Sequence, residues 1–132
     1  MKSYTYARAL QAALIGIAIT SSAARADIKD YEFQLIDKTV KKGDAIISVR
    51  LIHKPDGKLV SDAVIFAKRL DMAPDGMETM KTTIDPMPST EPGVYKFKAA
   101  LTTEGGWQLS LGAKVQGETG TVENKLVLKA TP

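Results

Sequence analysis

The chain contains no cysteine and only one histidine, His53, among its 132 residues. The missing thiols exclude the disulfides that small exported domains often use to reinforce a thin core, and they exclude thiolate metal sites as well. With one imidazole, the usual catalytic zinc ligand sets are also out of reach. No nucleophile elbow precedes a helix, and no residue pattern marks a carboxylate pair for glycoside chemistry. The expectation is a protein that is not an enzyme, and in which any soft metal ligand must be methionine.

Long apolar runs are scarce too. The one that occurs, residues 9–20, is about a dozen residues, against the roughly 18–20 that a spanning helix needs. Lys2 and Arg8 make its start basic, and Ala24-Arg25-Ala26 places small residues at the two positions a signal peptidase reads. Residues 1–26 therefore read as a signal peptide cleaved after Ala26. Export to the periplasm follows, with residues 27–132 as one mature domain of 106 residues that has no stable membrane insertion.

An excess of charge of one sign disappears with the leader. Of the 18 basic residues, Lys2, Arg8 and Arg25 lie in it, which leaves 15 against 15 acidic residues in the mature chain. Basic and acidic residues are interspersed, so nothing favours nucleic acid or an anionic membrane as partner.

Sustained helical periodicity is absent, and period-two alternation takes its place. Tyr31, Phe33 and Leu35 alternate with Glu32 and Gln34, and Ile47, Val49, Leu51 and His53 share one parity. Val64, Phe66, Leu70 and Met72 share a face, interrupted by Lys68. Tyr95, Phe97, Ala99 and Leu101 point one way while Lys96 and Lys98 point the other. Trp107, Leu109, Leu111, Ala113 and Val115 form another inward set, and Leu126 and Leu128 close the series. Turns fall at Lys54-Pro55-Asp56-Gly57, Pro92-Gly93 and Gly105-Gly106, where proline fixes φ or glycine accepts a positive one. This predicts an all-β fold, an immunoglobulin-like antiparallel β-sandwich of about seven strands.

The methionines are unevenly placed. Apart from Met1, all four lie between Met72 and Met87: Met72, Met77, Met80 and Met87. A thioether is neutral, soft and polarizable, so it suits Cu(I) and discriminates against Mg²⁺ and Ca²⁺. Methionine also fills gaps in cores, and Met72 has core parity, so packing is the competing reading. Residues three apart, such as Met77 and Met80, would lie on opposite faces of a strict strand. The Pro74-Asp75-Gly76 turn instead favours an irregular loop in which they converge with Met72, with Met87 on a separate segment. His53, inward at a strand end, is a candidate imidazole ligand or an ordinary half-buried histidine. Asp71, Asp75, Glu78 and Asp85 surround the methionines, but their order does not match a calcium loop.

The run from His53-Lys-Pro-Asp-Gly57 through Ala63-Val64, then Met72-Ala-Pro74 with Met77 and Met80, then Pro92-Gly93-Val-Tyr95 and Gly105-Gly106-Trp107, resembles the FixH/YtkA-like exported domains. The resemblance implies an immunoglobulin-like sandwich that handles copper or another heavy metal outside the cytoplasm, often beside oxidase-assembly or metal-efflux proteins. It places the methionine motif on Met72, Met77 and Met80 and makes Gly93, Tyr95, Gly106 and Trp107 structural. Members often carry a histidine inside the methionine loop, where this chain has Asp75, Gly76 and Glu78. The membrane helix of FixH itself is missing.

The resulting expectation is a periplasmic copper-binding protein that holds Cu(I) through Met72, Met77 and Met80, completed by His53 or Met87. It would deliver or sequester the ion in concert with an efflux or oxidase-assembly partner. The alternative is a metal-free interaction module whose methionine loop docks a transporter or another envelope protein.

Overall fold

The structure, a computed structural model, describes residues 27–132, and the signal-peptide reading of residues 1–26 lies outside them. Ten strands follow a short 3-10 turn at Ile28–Asp30: β1 (Tyr31–Leu35), β2 (Thr39–Lys41), β3 (Gly43–His53), β4 (Lys58–Leu59), β5 (Val64–Met72), β6 (Met77–Thr82), β7 (Ile84–Met87), β8 (Val94–Leu101), β9 (Gly105–Lys114) and β10 (Val122–Thr131). They make two sheets, one ordered β1-β3-β8-β7 with β4 beside β3, the other β2-β10-β9-β5-β6.

The all-β sandwich is thus the fold the alternation predicts, with short strands added to the seven long ones. Pairing is antiparallel except between β10 and β2, which run parallel. Inward residues of both sheets fuse into one core, where Phe33, Leu51, Phe97, Trp107, Leu109 and Leu128 are all but sealed from solvent. The Trp107 indole satisfies its one donor by bonding the Thr103 carbonyl at 3.0 Å, as a buried N–H must. Among the described residues, no helix is long and apolar enough to cross a membrane.

One part of the expected pattern fails. Val64 and Phe66 are exposed, not inward with Leu70 and Met72. The β5–β9 register slips between Ile65 and Ala67, and an extra residue reverses the face of everything on one side of it. Phe66 therefore lies on the outer surface, its ring edge 3.3 Å from where a Gly112 side chain would begin.

The sandwich has two distinct ends. Gly43 pairs with Leu101, Ala130 with Gly105, and Met72 with Met77 at one. At the other, His53 pairs with Tyr31 and Lys58, and the Tyr31 hydroxyl reaches Glu118 of the β9–β10 connection at 2.6 Å. That bond lifts the Tyr31 pKa to about 12, helped by burial and the Glu118 charge.

Candidate metal-binding hairpin

The β5–β6 hairpin is built from polar anchors around a buried thioether. Met72 closes β5 and leads into a 3-10 turn, Ala73–Asp75, with Pro74 near its start, where a missing N–H costs nothing. Gly76 ends the turn at φ 75°, donating its N–H to the Ala73 carbonyl at 2.9 Å. The buried Asp71 carboxylate accepts the Ala73 N–H at 2.9 Å and Arg69 Nε at 2.6 Å. Desolvation pushes the Asp71 carboxyl up, but the Arg69 and Ala73 bonds outweigh it and hold its pKa below the ordinary value. Arg69 reaches on to the Glu78 carbonyl at 2.9 Å, tying β6 to the same cluster.

The other side of the turn sits on Gly105-Gly106. The Asp75 carboxylate accepts the Gly106 N–H at 3.1 Å. A Cβ on Gly105, whose φ is 128°, would run into the Asp75 carboxylate and lie 3.0 Å from Met72 Cε; one on Gly106 would lie 2.9 Å from Pro74. The two glycines are therefore the seat of the hairpin. Gly105→Ala is expected to cost about 1–3 kcal/mol through backbone strain alone, measured as a lower denaturant midpoint at unchanged slope.

The register of this hairpin decides which methionines share a face. Met72 pairs with Met77, yet the preceding residue Asp71 pairs with Lys81, so β6 carries three residues more than its partner between those pairs. Cross-strand partners project to the same side of a sheet, which puts Met77 on Met72's side and Thr82 on that of Leu70. Thr82 does face the interior, donating its hydroxyl to the Ala100 carbonyl of the opposite sheet at 2.6 Å. Met80, two residues before Thr82, has the same parity. An odd-numbered slip thus returns Met77 and Met80 to one face, which a strict strand would forbid.

The expected ligands are not equivalent in this arrangement. Met72 is 1% exposed, whereas Met77 and Met80 are 42% and 39% exposed. The Met72 sulfur accepts the Thr103 hydroxyl at 3.3 Å from the β8–β9 turn. Met87 lies on β7 of the other sheet, paired with Lys96, beside a cleft lined by Ile65 and Phe97.

His53 stands at the opposite end. The 11 residues of β3 extend roughly 30 Å at about 3.3 Å per residue, and the methionine hairpin is at the far side of that span. His53 is not brought to the methionines. Its Nδ1 lies 3.0 Å from Asp56 Oδ1 and its ring packs against Tyr31 at 4.9 Å. Asp56 is held below the ordinary carboxylate range by the Lys58 N–H first and by His53 second. Of the carboxylates around the methionines, Asp71 is spent on the Ala73 N–H and Arg69, and Asp75 on the Gly106 N–H; among the described residues no three His, Asp or Glu side chains gather as a metal site.

Two residues of the site, Arg69 and Thr103, carry no role in the sequence reading, which takes Asp71 only as one of the carboxylates around the methionines. Arg69 and Asp71, two apart on the polar parity of β5, are the signal that a paired reading would use. Thr103 gives no sequence signal, because its role depends on where the β8–β9 turn meets Met72.

A family model described as YtkA-like matches residues 25–112. The chain belongs to the YtkA-like family. The matched segment of this YtkA-like domain spans His53, the β5–β6 hairpin and Gly105-Gly106, and stops within β9. The domain is also similar to a solved structure, the ZirS C-terminal domain, with 15% identity, 84% of this chain and 74% of that one covered, and a TM-score of 0.44. No curated protein matches the chain.

Proposed function

We propose that this YtkA-like domain is an exported, periplasmic copper-handling protein, binding Cu(I) at the β5–β6 hairpin and passing it on by ligand exchange. What supports the reading is the register: the three-residue slip pairs Met77 with Met72, Met80 has the parity of inward Thr82, and both methionines are open to solvent at one end of the sandwich. Two neutral thioethers on an edge strand suit a soft, monovalent ion and leave coordination positions for a recipient's donors. Delivery to an efflux or oxidase-assembly protein needs such an incomplete site, and no catalytic step is involved.

The roles of the residues follow from their exposure. Met77 and Met80 meet the ion. Met72 anchors the hairpin, its sulfur already accepting the Thr103 hydroxyl. His53 and Met87, held elsewhere, take no part.

An anaerobic titration with Cu(I) against a competing chelator tests this. The double variant M77L/M80L should bind at least about tenfold more weakly, about 1.4 kcal/mol, while H53A and M87L match the parent. Unchanged affinity in M77L/M80L overturns the proposal.

A further inference from the structure

Strand β5 is paired unevenly. On one side β9 accompanies it from Val64 to Asp71, but on the other β6 pairs only with Leu70, Asp71 and Met72. Among the described residues, 64–69 thus present a strand edge with no neighbour. Across from it runs β7, which pairs with β8 on one side and, among the described residues, with no strand on the other. Between these two edges lies a cleft of about 560 Å³. Ile65, Met87 and Phe97 give it an apolar lining, and its charged residues are Lys68, Lys96 and Glu91.

We propose that this cleft is a strand-addition site for an extended segment of a partner protein, one carrying an acidic residue beside an apolar side chain. Free backbone donors and acceptors along an edge recognise extended chain of almost any sequence, and side-chain pockets supply the selectivity. Here the selectivity is legible. The apolar lining takes one aliphatic side chain, and Met87, an unbranched and polarizable residue, adapts to its shape. Lys68 from one sheet and Lys96 from the other supply two cations against the single Glu91 carboxylate, so the charge that complements them is negative.

The edge is also guarded. The slip between Ile65 and Ala67 bends it, and Lys68 interrupts its apolar run, two devices that suppress indiscriminate edge pairing. Lysine on an edge repels a basic or purely apolar strand but rewards one that brings a carboxylate. Exposed Val64 and Phe66 lie on the same stretch, giving the added strand apolar neighbours on the outer face.

This site is separate from the methionine hairpin, so its failure leaves the copper reading untouched. The probe is a synthetic peptide, Thr-Val-Glu-Val-Asp-Val-Thr, compared with Thr-Val-Lys-Val-Lys-Val-Thr, each titrated into the purified protein and followed by amide chemical shifts. The acidic peptide should bind and perturb residues 64–69, Met87 and Tyr95 to Phe97. K68E/K96E, both changes at the cleft surface, should weaken it by at least about tenfold and restore binding of the lysine peptide, with the thermal midpoint unchanged. M87A should weaken the acidic peptide without altering charge preference. Equal binding of both peptides, shifts confined to other surfaces, or no binding at millimolar peptide would overturn the proposal. So would concentration-dependent dimerisation in sedimentation velocity with residues 64–69 at the contact, which would give the edge to a second copy of this chain.

Discussion

Met72→Ala should destabilise the protein by about 2–5 kcal/mol, whereas Met72→Leu should cost less than about 1.5 kcal/mol. Met72 is 1% exposed and joins the continuous core with Leu70, Leu101 and Trp107. Alanine removes three heavy atoms from a site whose floor is fixed. The Cε of Met72 abuts Gly105, and the Thr103 carbonyl beside it is held by the Trp107 indole, so the surroundings cannot collapse into the void. Leucine conserves volume and gives up only the weak hydroxyl-to-sulfur bond from Thr103. Equilibrium denaturation measures both.

The same pair of variants bears on copper. If Met72 serves as an anchor, M72L keeps most of the Cu(I) affinity that M77L/M80L loses, and M72A loses it only as the hairpin loosens. Equal loss in M72L and M77L/M80L would instead make Met72 a ligand in its own right.

How much of this was written in the sequence depends on how local each feature is. Inward sets such as Trp107, Leu109, Leu111 and Ala113 on β9 could be read directly, because alternation along a regular strand needs no partner to define it. Alternation alone misplaces the face of Val64 and Phe66, because a slip of register belongs to a pair of strands and neither sequence alone contains it. The methionines show the same limit from the other direction. Spacing put Met77 and Met80 on opposite faces of a strand or on one side of an irregular loop. The outcome is a strand that nonetheless shares one face, through three extra residues against β5. The parity of His53 marks a strand end, where it is half-buried, but parity says nothing of which end of the sandwich a residue occupies. That depended on the long β3 and on its pairing with β1 and β4.

Arg69→Met should cost about 2–3 kcal/mol near neutral pH, and the cost should shrink as pH falls. Removing one partner of a fully buried ion pair typically costs about 3–5 kcal/mol, since it strands a charge in low dielectric. Asp71 is buried, but Arg69 is 46% exposed, so solvent already screens part of the attraction and the lower range applies. In the parent the Asp71 pKa lies below its ordinary value. The stability it contributes is therefore present above the unfolded carboxylate pKa of about 3.9 and is lost as pH drops through the folded value. Without Arg69, desolvation acts on Asp71 with only the Ala73 N–H and the more distant Lys125 to oppose it. The folded pKa then rises, and protonation relieves the penalty where it once removed a benefit. Parent and variant should thus converge between about pH 5 and pH 3 in denaturation midpoints. In an Asp71→Asn background, where residue 71 cannot ionise, the gap between Arg69 and R69M should lose this pH dependence. A pH-independent gap between parent and R69M would mean that Arg69 acts through its bond to the Glu78 carbonyl, holding β6 in place, and not through the Asp71 charge.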